Sequence, residues 1–469
     1  MKISALTSAI ALGLGLAGAS AVAFADDQAL TGSGPSFNLG NVKLTVGGFI
    51  AAESVYRNHD QVADIASKYQ AIPLRGSDAY YLSDFRMTAR QSRLSLLVQG
   101  PEINGGKAEA YYEGDFLGAA VTANSTESNS YTPRIRQIFT DYTTDSGFQI
   151  LAGQAWSLVT QNKSGIVARK ENAPMTIEAQ YVPGFSWTRN PQLRLTQKFS
   201  NALTAAVSIE SPQAIPANAK SNGITVVTTQ AGGANMNSSQ YTVDGLPDAI
   251  AKVALDPGFG HYEVIGMVRN FRDRVDPGTG AAVKPANGGN SRESASSFGA
   301  NFILPVVPKL VDFQASILTG DGVGRYGSSQ LPDYTTNHLG EISTIKSTQI
   351  LFGLVAHPTP VIDLYAYAGE EKADRNDLGG GYGYGSQVGT NNATCTAFSS
   401  SGASCNLEKV AQATVGGWYK FYQGDMGYMQ TGLQVSHTTA DSFTDANGVA
   451  AKTSMNTVMA SFRYYPFQK

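Results

Sequence analysis

The chain has 469 residues and a formal net charge of −3, too near balance for a nucleic-acid binder or for steering by a global field. Mean hydropathy is −0.15, and past the N-terminus no run of about twenty uninterrupted apolar residues occurs, which argues against a helical membrane protein. Five scattered histidines and two cysteines offer no metal-ligand spacing, so no metal or other cofactor is expected.

In chain order, Met1 and Lys2 precede an apolar run over 10–23, and Ala23-Phe24-Ala25 sets small residues where a signal peptidase cuts. The expectation is a secretory signal over 1–25, followed by a short polar, Gly-rich lead over 26–42 without a heptad pattern. The first strand is expected at 43–56, where Leu44, Val46, Ile50 and Ala52 alternate with Lys43, Thr45 and Glu53.

The most telling stretch is 86–116, read as two strands turned at 101–106. On the outgoing strand Leu94, Leu96 and Val98 alternate with Arg93, Ser95 and Gln99. On the return Lys107, Glu109, Tyr111, Glu113 and Asp115 share one face, and Ala108, Ala110, Tyr112, Gly114 and Phe116 the other. One face is apolar and the other densely charged. For a single hairpin of this kind a half-buried pair in a soluble sandwich is the better explanation, so repetition decides.

The pattern does repeat. Strands are expected at 134–144 and 148–156, with Ile135 and Phe139 opposite Arg134, Arg136 and Thr140. A long irregular segment over 157–191 then carries Lys163, Arg169, Lys170, Glu171, Trp187 and Arg189. Further strands are expected at 192–199, 202–210, 248–256, 260–271, 296–304, 310–319, 347–357, 361–370, 407–422, 425–437 and 452–466. About sixteen strands, with connections alternating between short turns and long polar loops, make an all-β, transmembrane antiparallel barrel. The short turns then face the periplasm and the long loops the exterior, in the outer membrane of a Gram-negative bacterium. Tyr111, Tyr112, Trp418, Tyr419, Phe462 and Tyr464, near strand ends, fit interfacial girdles.

A barrel of about sixteen strands leaves an aqueous channel, and function then lies in what narrows and charges it. Basic candidates for the lumen wall are Arg86, Arg93, Arg134, Arg136 and Arg194, with Glu109, Glu113 and Asp115 as acidic counterparts. Arg169, Lys170 and Arg189 in the 157–191 segment suit a constriction. An arginine ladder would favour anions, because guanidinium groups match carboxylates with paired donors. Opposed acidic and basic walls would instead set a transverse field. His437, beside Ser436 and Asp441, is the conceivable start of a Ser/His/acid site, without a local signature. Cys395 and Cys405 are expected to close an external loop as a disulfide.

Several stretches resemble DcaP-like trimeric outer-membrane porins and a wider group of proteobacterial porins. They include Arg90-Gln91-Ser92-Arg93-Leu94-Ser95, Tyr112-Glu113-Gly114-Asp115-Phe116-Leu117-Gly118 and Gly153-Gln154-Ala155-Trp156-Ser157. Arg189-Asn190-Pro191-Gln192-Leu193-Arg194 and the closing Arg463-Tyr464-Tyr465-Pro466-Phe467 are similar too, and the order holds over most of the chain. The resemblance implies a homotrimer in outer-membrane lipid and passive diffusion of small hydrophilic solutes. It also implies a leaning to anions such as dicarboxylates, read by basic residues at a constriction. General porins fold a loop inward after the fifth strand, which is the position of 157–191. Tyr465 and Phe467 would serve as the C-terminal assembly signal, although Gln468 and Lys469 follow where such signals usually end on the aromatic. The other readings are a barrel enzyme of lipase type and a receptor or adhesin barrel with a plugged lumen.

Overall fold

The computed structural model describes residues 34–118, 132–178, 182–217, 225–231, 240–276, 289–399 and 405–468. The expected signal over 1–25 lies outside the described residues. Sixteen antiparallel strands close into a barrel. They are β1 (Val42–Arg57), β2 (Arg93–Ile103), β3 (Gly106–Asp115), β4 (Arg134–Thr144), β5 (Phe148–Trp156), β6 (Arg189–Lys198), β7 (Leu203–Glu210) and β8 (Asp248–Leu255). The second half comprises β9 (His261–Asp276), β10 (Gly289–Val307), β11 (Val311–Asp321), β12 (Lys346–Thr359), β13 (Ile362–Ala373), β14 (Leu407–Gly424), β15 (Gly427–Ser442) and β16 (Lys452–Tyr465). Each strand pairs with its neighbour in sequence, and β16 returns to β1 in the register Ile50↔Tyr464 to Arg57↔Thr457.

Closure follows from the side-chain pattern. Ile50, Leu94, Ile138, Val207, Val264, Phe298, Val415, Leu433 and Phe462 are exposed on the outer surface, an apolar belt that suits lipid and not water. In lipid an open edge would leave backbone N–H and C=O groups unsatisfied, so the sheet has no stable alternative to a cylinder. No helix among the described residues is long and apolar enough to cross a membrane, and the strands do the crossing.

Four local departures from strict alternation matter. The stretch before β2 is broken: Asp84–Thr88 pairs with the upper half of β1, and Arg93 onward pairs with the lower half. The turn between them resets parity, so Phe85 and Met87 face outward while Arg86 turns in. In β4 Glu113 pairs with Gln137 but Gly114 pairs with Ile135, leaving Arg136 as the extra residue of a bulge. This corrects the expected alternation. Phe139 points inward and packs on Tyr111 with ring centroids 5.6 Å apart, and Thr140 points outward. The N-terminal lead is not featureless, since Ser36–Leu39 adds a short strand against the start of β1. Finally, β9 and β10 extend well beyond the expected 260–271 and 296–304, into residues whose outer face is polar or charged and lacks the apolar-out pattern of the lower part.

The interior is packed where the 157–191 segment meets the wall. Trp156, Ile177, Val182 and Phe185 form one buried cluster with Tyr365 and Tyr367 of β13, Trp418 of β14 and Met459 of β16.

Candidate channel constriction

The segment after β5 enters the barrel and runs along its inner wall. Its first hairpin is pinned low on one side: Lys252 Nζ donates to Thr160 O at 2.7 Å, and Asn162 N–H donates to Glu263 Oε1 at 3.0 Å. Gly165 N–H donates to Asp256 at 2.9 Å, beside the turn between β8 and β9. The chain then returns to β3, where Arg169 pairs with Glu109 at 2.6 Å and lies 5.5 Å over the Tyr111 ring. Arg169 takes a left-handed φ of 69°, a conformation that costs a non-glycine residue energy and is kept here by the ion pair and ring contact.

From there the segment crosses to the far wall. Asn172 donates to Gln314 of β11 at 3.1 Å, and Met175 N–H donates to the Tyr367 hydroxyl of β13 at 3.1 Å. Trp418 Nε1 donates to Met175 O at 2.8 Å, and Ile177 N–H donates to Gln434 of β15 at 2.7 Å. Ile177 O accepts from Gln91 and from Arg463 of β16, each at 3.0 Å. On the return Gly184 N–H donates to Glu371 at 2.8 Å and Ser186 Oγ to Gln349 at 2.6 Å. A non-regular backbone can lie at membrane depth only if its polar groups find partners, and the wall supplies them one by one. Close approach is possible because Gly369 of β13 has no side chain; a Cβ there would overlap Pro183 O.

Two outer connections close down on this collar. Ser67 donates through both its N–H and its hydroxyl to Glu178, and Gln70 donates to Ser329 O at 3.2 Å. Burial pushes the Glu178 carboxyl up to about 8, against the opposing pull of Arg57 and of the Ser67 donors. Beneath the connection over 322–345, Arg269 bridges Asp248 at 3.1 Å and Asp333 at 3.0 Å. Burial pushes the Asp333 carboxyl up as well, with the Arg269 guanidinium opposing.

The structure gathers some of the expected lumen residues and scatters others. Arg93, Arg134 and Arg136 meet around the β3 acids: Asp115 lies 2.7 Å from Arg134 and 3.2 Å from Arg136. Glu113 pairs with Arg136 and lies 4.0 Å from Arg93. Arg93 and Arg136 are buried, whereas a quarter of the Arg134 side chain (25%) is accessible. Arg189 lies 5.0 Å over the Trp156 ring and 5.1 Å over Trp187, half-buried. Lys170 is exposed and has no ion pair among the described residues. Arg194 points inward but is buried under the segment, donating to Gln192 at 3.0 Å and to Trp156 O. Arg86 stands apart at the outer mouth, 3.0 Å from Asp84 and 3.8 Å from Asp60.

Sequence reasoning passed over Lys252, Arg269 and Arg463, all buried and inward. Arg463 pairs with Glu53 at 2.8 Å across the β16–β1 seam. Their signal was the same alternation: Lys252 sits between Ala251 and Val253 and Arg463 between Phe462 and Tyr464, whereas Arg269, between Val268 and Asn270, shows it on one side only. Ser436 and His437 do not form a site. Ser436 is inward and 2.7 Å from Thr414, while His437 is exposed and 2.8 Å from Asn456. Cys395 and Cys405 are joined as expected, with Cα atoms 6.4 Å apart. Tyr465 stacks on Tyr428 at 4.2 Å, and Phe467 lies half-buried just past β16. Among the described residues no group of His, Cys, Asp and Glu could hold a metal ion.

No family model and no curated protein matches the sequence. The outer membrane channel DcaP of Acinetobacter baumannii superposes with a TM-score of 0.63 at 17% identity, over 90% of this chain and 98% of that one. The chain has the fold of a DcaP-type outer-membrane channel. OmpF of Salmonella typhi matches more loosely, with a TM-score of 0.49 at 10% identity over 92% and 100% of the two chains. An anion-selective porin from Comamonas acidovorans gives 0.46 at 10% identity over 90% and 99%.

Proposed function

We propose that this protein is an outer-membrane porin, a passive diffusion channel for small hydrophilic solutes that favours anions. The observation that carries the reading is the 157–191 collar, hydrogen-bonded to walls on opposite sides of a cylinder otherwise wide enough for water. No bond is made or broken. The solute moves down its gradient, exchanging part of its hydration for the polar groups that line the narrowest level.

The anion preference rests on the local balance of charge. Glu109, Glu113 and Asp115 are each taken up by arginines, so little negative potential is left to repel an anion. Lys170 stands exposed on the collar, and around Glu113 and Asp115 three arginines, Arg93, Arg134 and Arg136, face two carboxylates, which leaves the cluster with a positive excess. Dicarboxylates, which can meet two such groups, are the solutes this arrangement would favour most. The resemblance also implies a homotrimer, which light scattering of the detergent-solubilised protein would weigh directly.

Swelling of liposomes that contain the purified protein tests the channel itself. Succinate is expected to enter several times faster than a diammonium of equal length, with a neutral diol between them. A bilayer that stays tight to all three solutes would remove the porin reading.

A further inference from the structure

The upper ends of β9 and β10 carry a charge pattern on their outer face that a passive channel does not explain. Even-numbered residues face outward there: Val264, Val268 and Phe298 are exposed, while Arg269, Phe271 and Asp273 are buried. Above that apolar band come Arg272 and Arg274 on β9 and Arg292 on β10. The register sets Arg272 directly opposite Arg292. Like charges directly opposite each other on a sheet are destabilising, and an anion held between them would offset that repulsion.

Elsewhere at this height the outer face neutralises itself. Lys346 lies across from Asp321, and Lys452 from Asp441. Lys372 pairs with Glu408 at 3.5 Å, and Lys409 with Asp441 at 3.8 Å. Arg272 uses its Nε on Val243 O at 2.5 Å, and neither Arg272 nor Arg292 has an ion pair among the described residues. The carboxylates nearest to Arg272 are otherwise placed: Asp244 accepts from the Thr242 hydroxyl and from the Arg272 backbone N–H, Asp276 stands at the far end of β9, and among the described residues neither forms an ion pair with Arg272 or Arg292. Glu293 belongs to the opposite face of β10, in register with Phe271.

Depth identifies the partner. From the aromatic end of β9 at Tyr262 to Arg272, a tilted strand rises about 25 Å, the height of the apolar band of an outer-membrane barrel. The guanidinium pair therefore lies where hydrocarbon gives way to headgroups. We infer that the outer face of β9–β10 is a docking site for a phosphate-bearing lipid headgroup of the outer leaflet, held between Arg272 and Arg292. Guanidinium forks match phosphate oxygens in pairs, and the exposed Val268 and Phe298 below offer the acyl chains an apolar surface. This rests on the membrane reading of the barrel and not on its being a channel.

The test uses the full chain in detergent micelles, titrated with diphosphoryl lipid A and with its dephosphorylated form, bound lipid being counted by native mass spectrometry. Arg272→Gln/Arg292→Gln is expected to weaken binding of the diphosphoryl form by about thirtyfold, from two phosphate-facing charges. Arg292→Gln alone should lose a substantial part of that, and it leaves the Val243 contact intact. Removing the phosphates from the lipid should weaken the wild type to the level of the double variant. Lys372→Gln/Lys409→Gln, which removes charges already neutralised, should bind as wild type does. Undiminished binding by the arginine double variant would overturn the proposal, as would equal losses in the two double variants. Displacement of the lipid by an equal concentration of inorganic phosphate would overturn it too, by showing a free-phosphate site. Conductance of the arginine variants reports separately on the channel and is expected to be unchanged.

Discussion

Arg136 shows how one residue can belong to the wall and still shape the lumen. The β4 bulge inserts it between Glu113 and Asp115, and its guanidinium also lies 5.8 Å over the Trp156 ring. Arg136→Ala would leave two buried carboxylates short of a partner, a loss of about 3–5 kcal/mol for a buried pair broken on one side. The expected outcome is a lower temperature for the loss of the folded band on unboiled gels, with Arg136→Lys falling between. Glu178 gives a residue-scale dependence on pH. Its folded-state pKa is raised to about 8, so the folded chain keeps a proton that the unfolded chain releases at ordinary carboxylate pH. That contribution is full below the ordinary range and is lost as pH climbs towards and through about 8. Glu178→Gln should match the wild type in thermal stability near pH 5 and exceed it increasingly towards pH 9. Equal curves across that range would refute the assignment. The sequence marked Arg136, Glu113 and Asp115 as inward because parity alone decides that. Their ion pairs could not be read, since which acid faces which base depends on inter-strand register and on a bulge that no local signal announces.

At the scale of elements the collar is the decisive feature. It is held by hydrogen bonds from its backbone to wall side chains and by the closeness that Gly369 permits. Gly369→Val should push the segment off β13 while leaving the strand intact, because valine suits a strand. The expected result is single-channel conductance that changes in size and becomes noisier, with the barrel still folded on unboiled gels. Unaltered traces would mean that the segment does not set the narrowest level. The position of this segment after the fifth strand was legible, and so was its odd composition. Its path was not, because Asn162, Met175 and Ile177 are fixed by Glu263, Tyr367 and Gln434, residues far away in the chain. The extra length of β9 and β10 was hidden for a different reason: above the membrane the outer face turns polar or charged, so the apolar-out pattern ends, and in β9 the apolar residues Phe271 and Val275 lie on the inner face instead.

For the whole molecule, fold class and strand number were written plainly in the sequence, because each spanning strand must show an apolar outer face and the chain must close. The Cys395–Cys405 link was legible from spacing and exported context. It fastens an outer connection away from the collar, so reduction should leave conductance unchanged and mainly increase proteolysis of that loop. Selectivity is the property that all scales share, since it sums the paired acids, the exposed Lys170 and the path of the collar. The most direct measurement is the reversal potential of the purified protein in a planar bilayer under a salt gradient. The account predicts a potential on the anion-selective side, shifted towards neutrality in Lys170→Glu. A cation-selective potential in the wild type, or no conductance at all, would contradict it.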